Sequence, residues 1–480
     1  MNYNQKLQLL IDGKWVGSSN RETIPVFNPA TEEVISHLPI ANESDLSNAL
    51  NSSKKGFEIW KKWSPLRRQA LMLKTVEIIK RRSDEIAKTL TMEMGKTFRE
   101  SKQEINQVIE TITWCAEEGK RTYGRIIPSR DGLARQMVIK EPIGPVAAFV
   151  AWNFPGGNVI RKVASTLAAG CSIIIKPSEE TPGTGVAIGE CFMEAGLPPG
   201  VLNIVFGVPD NISKFLLKSS IPKAVTFTGS VEVGKHLQSL SSQTLKKCTL
   251  ELGGHAPVII CNDVDIAKVL NKIAYWKFRN SGQVCISPSR FFVQEAVYKK
   301  FIRGFVEIAK QIKLGNGLED STDMGPLIFE RQVEKMEYFV ENAKSLGGKI
   351  NCGGQRFGTK GYFYEPSVLT DLPMHTKMLN EEIFGPLVPI IPFKSLEDAI
   401  EKSNSLSVGL ASYIFTEDQK SSHFLSNNLE VGIVCVNHTI VSVPETPFGG
   451  VGESGYGKEN GIEGLESFLT SKYITEISHL

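Results

Sequence analysis

The sequence predicts an α/β protein of two α/β units carrying a small β arm. Between Ile143 and Pro257, short apolar runs alternate with stretches of helical periodicity, the pattern of successive βαβ units on a parallel sheet. The same alternation resumes after Cys285 and extends to about Gly449. A chain of 480 residues is also too long for one hydrophobic core, so two or three domains are expected.

Taken in order, Leu7 to Leu38 reads as short strands and turns, with Asp12-Gly13 a hairpin-type turn and Phe27 to Glu32 a loop. Asp45–Trp63, Leu66–Met92 and Lys96–Tyr123 read as three helices; Pro65 opens the second and Gly95 separates the last two. From Gly124 to Ile143 the residues become alternating and β-branched around a polar turn, Ser129-Arg130-Asp131-Gly132, which reads as a projecting hairpin. Strands are then expected over Gly144–Ala151, Ser172–Lys176, Val201–Val205 and Ala224–Thr228, with helices over Val159–Ala169, up to Ala195, and over Asn211–Ser219. An amphipathic helix spans Val269 to Phe278. Strand Arg290–Gln294 and helix Glu295–Gln311 begin the second unit, whose further strands are Leu387–Phe393, Gly409–Thr416 and Gly432–Asn437. The run Leu465–Ile477 is extended and free to pair with another chain.

Composition excludes several classes. Hydrophobic residues at 41% and charged residues at 22% are ordinary globular values, and a net charge of +2 gives no reason to expect nucleic acid or an anionic membrane surface. The 8 cysteines contain no C-x-x-C pair and the 7 histidines no H-E-x-x-H, so neither a metal site nor a disulfide framework is expected. Reduced thiols point to the cytoplasm. The polar start, Met1 to Lys6, has no apolar signal region, and apolar runs such as Val146–Trp152 stop short of a membrane span.

The chemistry gathers in two stretches. Phe278 to Ser287 holds Cys285 among small and amide residues behind Gly282; Glu251 ends the run Cys248-Thr249-Leu250 and meets a bend, Gly253-Gly254. A thiol and a carboxylate so placed suit a covalent step followed by water activation. A lone intracellular cysteine is more often a buried structural one, and the Glu251 motif is what tips the balance. A third stretch, Phe227 to Gly234, follows a strand and opens a helix whose N–H groups can face a pyrophosphate, with Gly229, Ser230 and Gly234 as its marks. Gly183 to Gly189 imitates a dinucleotide fingerprint but has one residue too many before its third glycine and reads as helix packing.

Together the Cys285 and Glu251 motifs resemble the active-site signatures of the NAD(P)-dependent aldehyde dehydrogenase superfamily, from about Val26 to the last strand. The resemblance implies a Rossmann-like cofactor domain (1–122 and 144–252), a catalytic domain (253–453) and an oligomerisation arm (123–143 and 465–480). It implies that Cys285 attacks an aldehyde carbon, that the side chain of Asn153 and the Cys285 N–H receive the oxyanion, and that Glu251 acts as general base. Ala151 stands where the family commonly has Pro. For the cofactor the resemblance assigns Trp152, Lys176, Glu179, Glu382 and Phe384. A carboxylate at Glu179 would repel a 2′-phosphate, which favours NAD, with NADP still possible. Arg161, Arg279 and Ser442 match residues that grip the far carboxylate in the succinate-semialdehyde branch, and His255-Ala256-Pro257 and Gly461–Leu465 are similar to the α-ketoglutaric semialdehyde branch. The expected substrate is therefore an ω-carboxylated semialdehyde, and the expected assembly a homodimer or homotetramer. A general aldehyde dehydrogenase, a CoA-acylating one and a non-catalytic cofactor-binding protein are the alternatives.

Overall fold

The computed structural model describes residues 3–477; the last positions of the arm, 478–480, lie outside the described residues. Two sheets organise it. The first has eight strands. Its centre is the parallel set Leu202–Ile204, Ile173–Lys176, Val146–Phe149, Ala224–Thr228 and Lys247–Glu251 in that spatial order. Antiparallel strands close its margins: the hairpin Leu9–Ile11/Lys14–Val16 at one side and Gly455–Tyr456 at the other. That hairpin turns on Asp12 and Gly13, both at positive φ (53° and 72°), as a tight two-residue loop requires.

The second sheet runs Lys349–Cys352, Ser367–Thr370, Leu387–Phe393, Arg290–Gln294, Pro257–Ile260, Ala411–Phe415, Ile433–Val436, parallel except at its first pair. Successive side chains of a strand point to opposite faces, and both faces here are covered. Val258 and Ile260 enter one apolar cluster while Ile259 enters another; Phe291 and Val293 separate from Phe292 in the same way.

The helices start where their capping chemistry says. Glu43–Trp60 has Asn42 in a capping box with Asp45; Pro65–Met94 opens on Pro65 and stops at Gly95, at φ 90°; Phe98–Glu118 has Thr97 in a capping box with Glu100. The first and third are thus shorter than the expected Asp45–Trp63 and Lys96–Tyr123 at their C-terminal ends, because Trp63 and Tyr123 lie beyond the C-caps Lys61 and Gly119.

The expected strand Gly409–Thr416 is interrupted. Val408–Gly409 pairs with Val451–Gly452, and only Ala411–Phe415 joins the large sheet. The tail also differs from expectation. Residues Gly461–Glu466 form a short helix, and strand Leu469–Glu476 pairs along its length with Arg135–Pro142 of the same chain. The hairpin and the tail therefore cover one edge of each other, since in the folded chain they lie side by side. The outer edges of Leu469–Glu476 and Arg125–Ile127 have no strand neighbour among the described residues. No helix among the described residues is long and apolar enough to cross a membrane.

Candidate active site

Helix Ile266–Phe278 delivers the chain to a turn of unusual hand. Asn280, Ser281 and Gly282 all have positive φ (50°, 56° and 76°). A left-handed non-glycine residue costs roughly 1–2 kcal/mol, so local bonds must offset two of them. The Asn280 N–H donates to Glu100 Oε1 (2.8 Å), and Ser281 Oγ donates to the Gly325 carbonyl (2.7 Å). Gly282 is required outright: a Cβ there would stand 2.2 Å from the Gly385 carbonyl oxygen. The turn aims Cys285 into a cavity of about 220 Å³ between the two sheets. Burial pushes its thiol up to about 12, helped by Glu382 and Glu251 and opposed by Arg161 and Arg279. At neutral pH this group is therefore a thiol.

Glu251 ends its strand at the same cavity. It is 2% exposed, and neither carboxylate oxygen has a hydrogen-bond partner among the described residues. Burial raises its pKa, and Glu459 raises it further against Lys162, Lys458 and Arg161. Glu459 forms a buried ion pair with Lys162, which also donates to Thr228 Oγ1 (2.8 Å). The chain passes so close that a Cβ on Gly449 would meet Glu251 Oε1 at 2.4 Å. Lys162 and Glu459 escape a reading of the sequence, because a lysine inside a helix and a glutamate in a loop carry no local signal of what they face.

Asn153 lines the cavity after strand Val146–Phe149. Its side-chain Nδ2 donates to the Gln283 carbonyl (3.2 Å), and its Oδ1 accepts from Asn158 Nδ2 (3.2 Å). An amide NH₂ has two hydrogens, so one remains free to donate into the cavity. The Cys285 N–H meets no backbone acceptor among the described residues.

A crevice continues from the thiol over the carboxyl ends of the parallel strands, where open α/β sheets bind ligands. Trp152, Gly229, Ser230, Glu382 and Phe384 line it. Ser230 caps helix Val231–Ser242, so that helix presents its N-terminus there. Phe384, itself at φ 54°, meets Trp152 edge-on with ring centroids 5.3 Å apart. Burial raises Glu382 to about 7; its Oε1 accepts from the Gly254 N–H (3.2 Å). Lys176 and Glu179 sit apart from this cavity, at the end of strand Ile173–Lys176, paired at 2.7 Å. Gly234 faces Leu252, whose Cδ2 a Cβ would meet at 2.4 Å, so it serves the crevice indirectly by letting the helix lie close. A carboxylate, aromatic faces and a helix N-terminus along one crevice fit a dinucleotide.

Two guanidiniums complete the cavity. Arg161, on helix Pro155–Ala169, donates from Nη2 to Ser442 Oγ (2.7 Å) and lies 4.7 Å from the centre of the Phe448 ring. Arg279 stacks 3.9 Å over Trp276, and its Nε has no hydrogen-bond partner among the described residues. Among the described residues neither arginine forms a salt bridge. Gln107 also reaches this wall, a residue with no signal in the sequence.

A thiol, a buried carboxylate and a dinucleotide crevice on two α/β sheets define a cofactor-dependent oxidoreductase with a covalent step. The aldehyde dehydrogenase family matches residues 15–474. A 4-(hydroxymethyl)benzenesulfonate dehydrogenase of Comamonas testosteroni is 42% identical, covering 97% of each chain. The mitochondrial succinate-semialdehyde dehydrogenase of Oryza sativa subsp. japonica is 41% identical, covering 98% of this chain and 89% of that one. The crystal structure of a succinate-semialdehyde dehydrogenase from Burkholderia pseudomallei matches with a TM-score of 0.97 at 36% identity, covering 98% of both chains. The chain belongs to the aldehyde dehydrogenase family, and it is an oxidoreductase that uses NAD(P).

Proposed function

We propose that this enzyme oxidises an aldehyde with an anionic group at its far end, succinate semialdehyde or a related ω-carboxylated semialdehyde, to the acid. The observation that carries this reading is the pair Arg161 and Arg279, which line the thiol's cavity without a carboxylate partner. A charge left so is costly unless a ligand neutralises it, and a guanidinium binds a carboxylate with two charge-assisted bonds. A sulfonate offers the same charge and acceptor oxygens, and the Comamonas relative favours it as a second reading.

In this mechanism Glu251 takes the Cys285 proton and Sγ attacks the aldehyde carbon. Asn153 Nδ2 and the Cys285 N–H receive the oxyanion of the thiohemiacetal. The nicotinamide, when bound, supplies the acceptor for the hydride. Once Glu251 has passed its first proton to solvent, it deprotonates the water that attacks the remaining thioester, and the proton it gains goes to the departing Cys285 sulfur, releasing the acid and restoring the thiol. A base for water is superfluous in a CoA-acylating enzyme, so Glu251 argues against that alternative. Trp152, Lys176, Glu179, Gly229, Ser230, Gly234, Glu382 and Phe384 serve the cofactor, with NAD preferred because Glu179 would repel a 2′-phosphate. Residues 1–122 and 144–252 form the cofactor domain, 253–453 the catalytic domain, and 123–143 with 465–480 an arm for assembly into a dimer or tetramer in the cytoplasm.

The test is an assay with NAD and no CoA. Succinate semialdehyde should exceed butanal in kcat/KM, with the acid as product. Equal efficiency on the two aldehydes would end the reading.

A further inference from the structure

Beneath the cavity lies a buried polar cluster that none of the steps above uses. Lys96, 1% exposed, donates from Nζ to Glu104 Oε2 (2.7 Å) and to the backbone carbonyl of Asn153 (2.8 Å). The other oxygen of Glu104 accepts from the N–H groups of Gly156 (2.8 Å) and Gly157 (3.0 Å). These are orphan donors at the start of helix Pro155–Ala169, whose own N-cap, Phe154, offers no side-chain bond. Glu104 thus caps a helix from outside it.

One helical turn earlier, Glu100 holds the opposite wall. Its Oε1 accepts from the Asn280 N–H (2.8 Å), while Oε2 accepts from Thr97 N and Oγ1 (2.9 Å each). Asn280 then reaches back, its Nδ2 donating to the carbonyls of Asn153 (3.0 Å) and Gln283 (3.1 Å). Residues four apart lie on one face of a helix. A single face of Phe98–Glu118 is therefore tied to both walls: through Lys96 to the segment bearing Asn153, and through Asn280 to the left-handed turn that carries Cys285.

We infer that Lys96, Glu100, Glu104 and Asn280 are positioning residues that set the spacing between the Asn153 amide and the Cys285 N–H, the two donors of the oxyanion site. Buried charge is expensive to maintain, and an apolar cluster of the same volume would hold two helices together as well. What an apolar cluster lacks is direction. The Asn153 carbonyl is held from two sides by Lys96 and Asn280, so its peptide cannot rotate without breaking two bonds. An oxyanion donor acts only if it lies within about 2.7–3.1 Å of the developing charge, which makes such rigidity matter to the rate. The inference rests on Asn153 being an oxyanion donor.

A double-mutant cycle tests it, with the pre-steady-state burst of NADH as readout on the full-length enzyme. Lys96→Met should slow the burst roughly 10- to 100-fold, within the loss expected for weakening one oxyanion donor, while NAD affinity measured by fluorescence is kept. In an Asn153→Ala background the same substitution should cost no more than about twofold further, because effects acting through a shared partner are not additive. If Lys96→Met does not fold, Asn280→Gly takes its place; glycine accepts the positive φ and deletes only the bridging amide. Equal losses with and without Asn153, or an unchanged burst in the single variant, overturn the clamp while leaving Asn153's role intact. An unchanged burst in Asn153→Ala alone overturns the oxyanion assignment and the clamp with it.

Discussion

Arg161 and Ser442, 281 positions apart in the chain, meet at 2.7 Å on the wall facing Cys285. The bond orients a guanidinium that has no carboxylate to orient it. Hydrogen bonds to charged groups contribute about 1.5–3 kcal/mol, so Arg161→Ala or Arg279→Ala should lower kcat/KM for succinate semialdehyde roughly 10- to 100-fold. Butanal turnover should barely change. Ser442→Ala, which frees the arginine without removing it, should have the smaller effect. Parallel losses on both aldehydes would show that the arginines support the fold rather than the substrate.

Cys285→Ala should abolish turnover while NAD still binds, since the crevice residues lie elsewhere. Glu251→Gln should slow turnover by a factor on the order of 10²–10⁴, the usual contribution of a general base. Isothermal titration with NAD and steady-state rates separate the two effects; normal turnover in Cys285→Ala would refute the mechanism.

The pH profile should respond to a residue that never touches the substrate. Glu251 works as a base only when ionised, and burial followed by the charge of Glu459 raises its pKa. Glu459→Gln removes that negative charge and leaves Lys162 unneutralised beside the site. Both changes favour the Glu251 carboxylate, so the acid limb of kcat should move to lower pH. A limb that moves upward or stays in place would contradict the coupling.

Glu179 is paired with Lys176 at the end of strand Ile173–Lys176, apart from the thiol's cavity, and has its pKa raised, by burial first. Glu179→Ser should weaken NAD use and improve NADP use, as read from kcat/KM for each. A wild-type enzyme strongly preferring NADP would overturn the assignment.

Strand Leu469–Glu476 leaves one edge unpaired among the described residues, with Tyr473 exposed on it. Open edges recruit further strands. Sedimentation should find a dimer or tetramer at micromolar concentration, and a stable monomer there would exclude assembly through the arm.

Much of the scaffold is legible in the chain, and for a simple reason. Strands covered on both faces appear as unbroken apolar runs, and strands Arg290–Gln294 and Leu387–Phe393 and helix Glu295–Gln311 fall within the bounds that periodicity assigns. The stretch around Cys285 is marked too, since Gly282 stands where the backbone needs a positive φ and a close approach to the Gly385 carbonyl; Gly253 and Gly254 beside Glu251 take no positive φ and instead let Glu382 and Leu410 pack close. The arm is harder. An extended run looks the same whether its partner belongs to its own chain or to another, and here Leu469–Glu476 pairs with Arg135–Pro142 at home.

What the sequence by itself determines is the order of the elements, because periodicity and turn chemistry are local; it also marks Cys285 and Glu251 as candidates through the resemblance of their motifs. What only the tertiary structure decides is which charges meet. Lys162 and Glu459 come together, Glu104 caps a helix other than its own, and Glu100 reaches the turn before Cys285. Ion pairing and desolvation depend on distances through space, and residues so far apart in the chain carry no local mark of them.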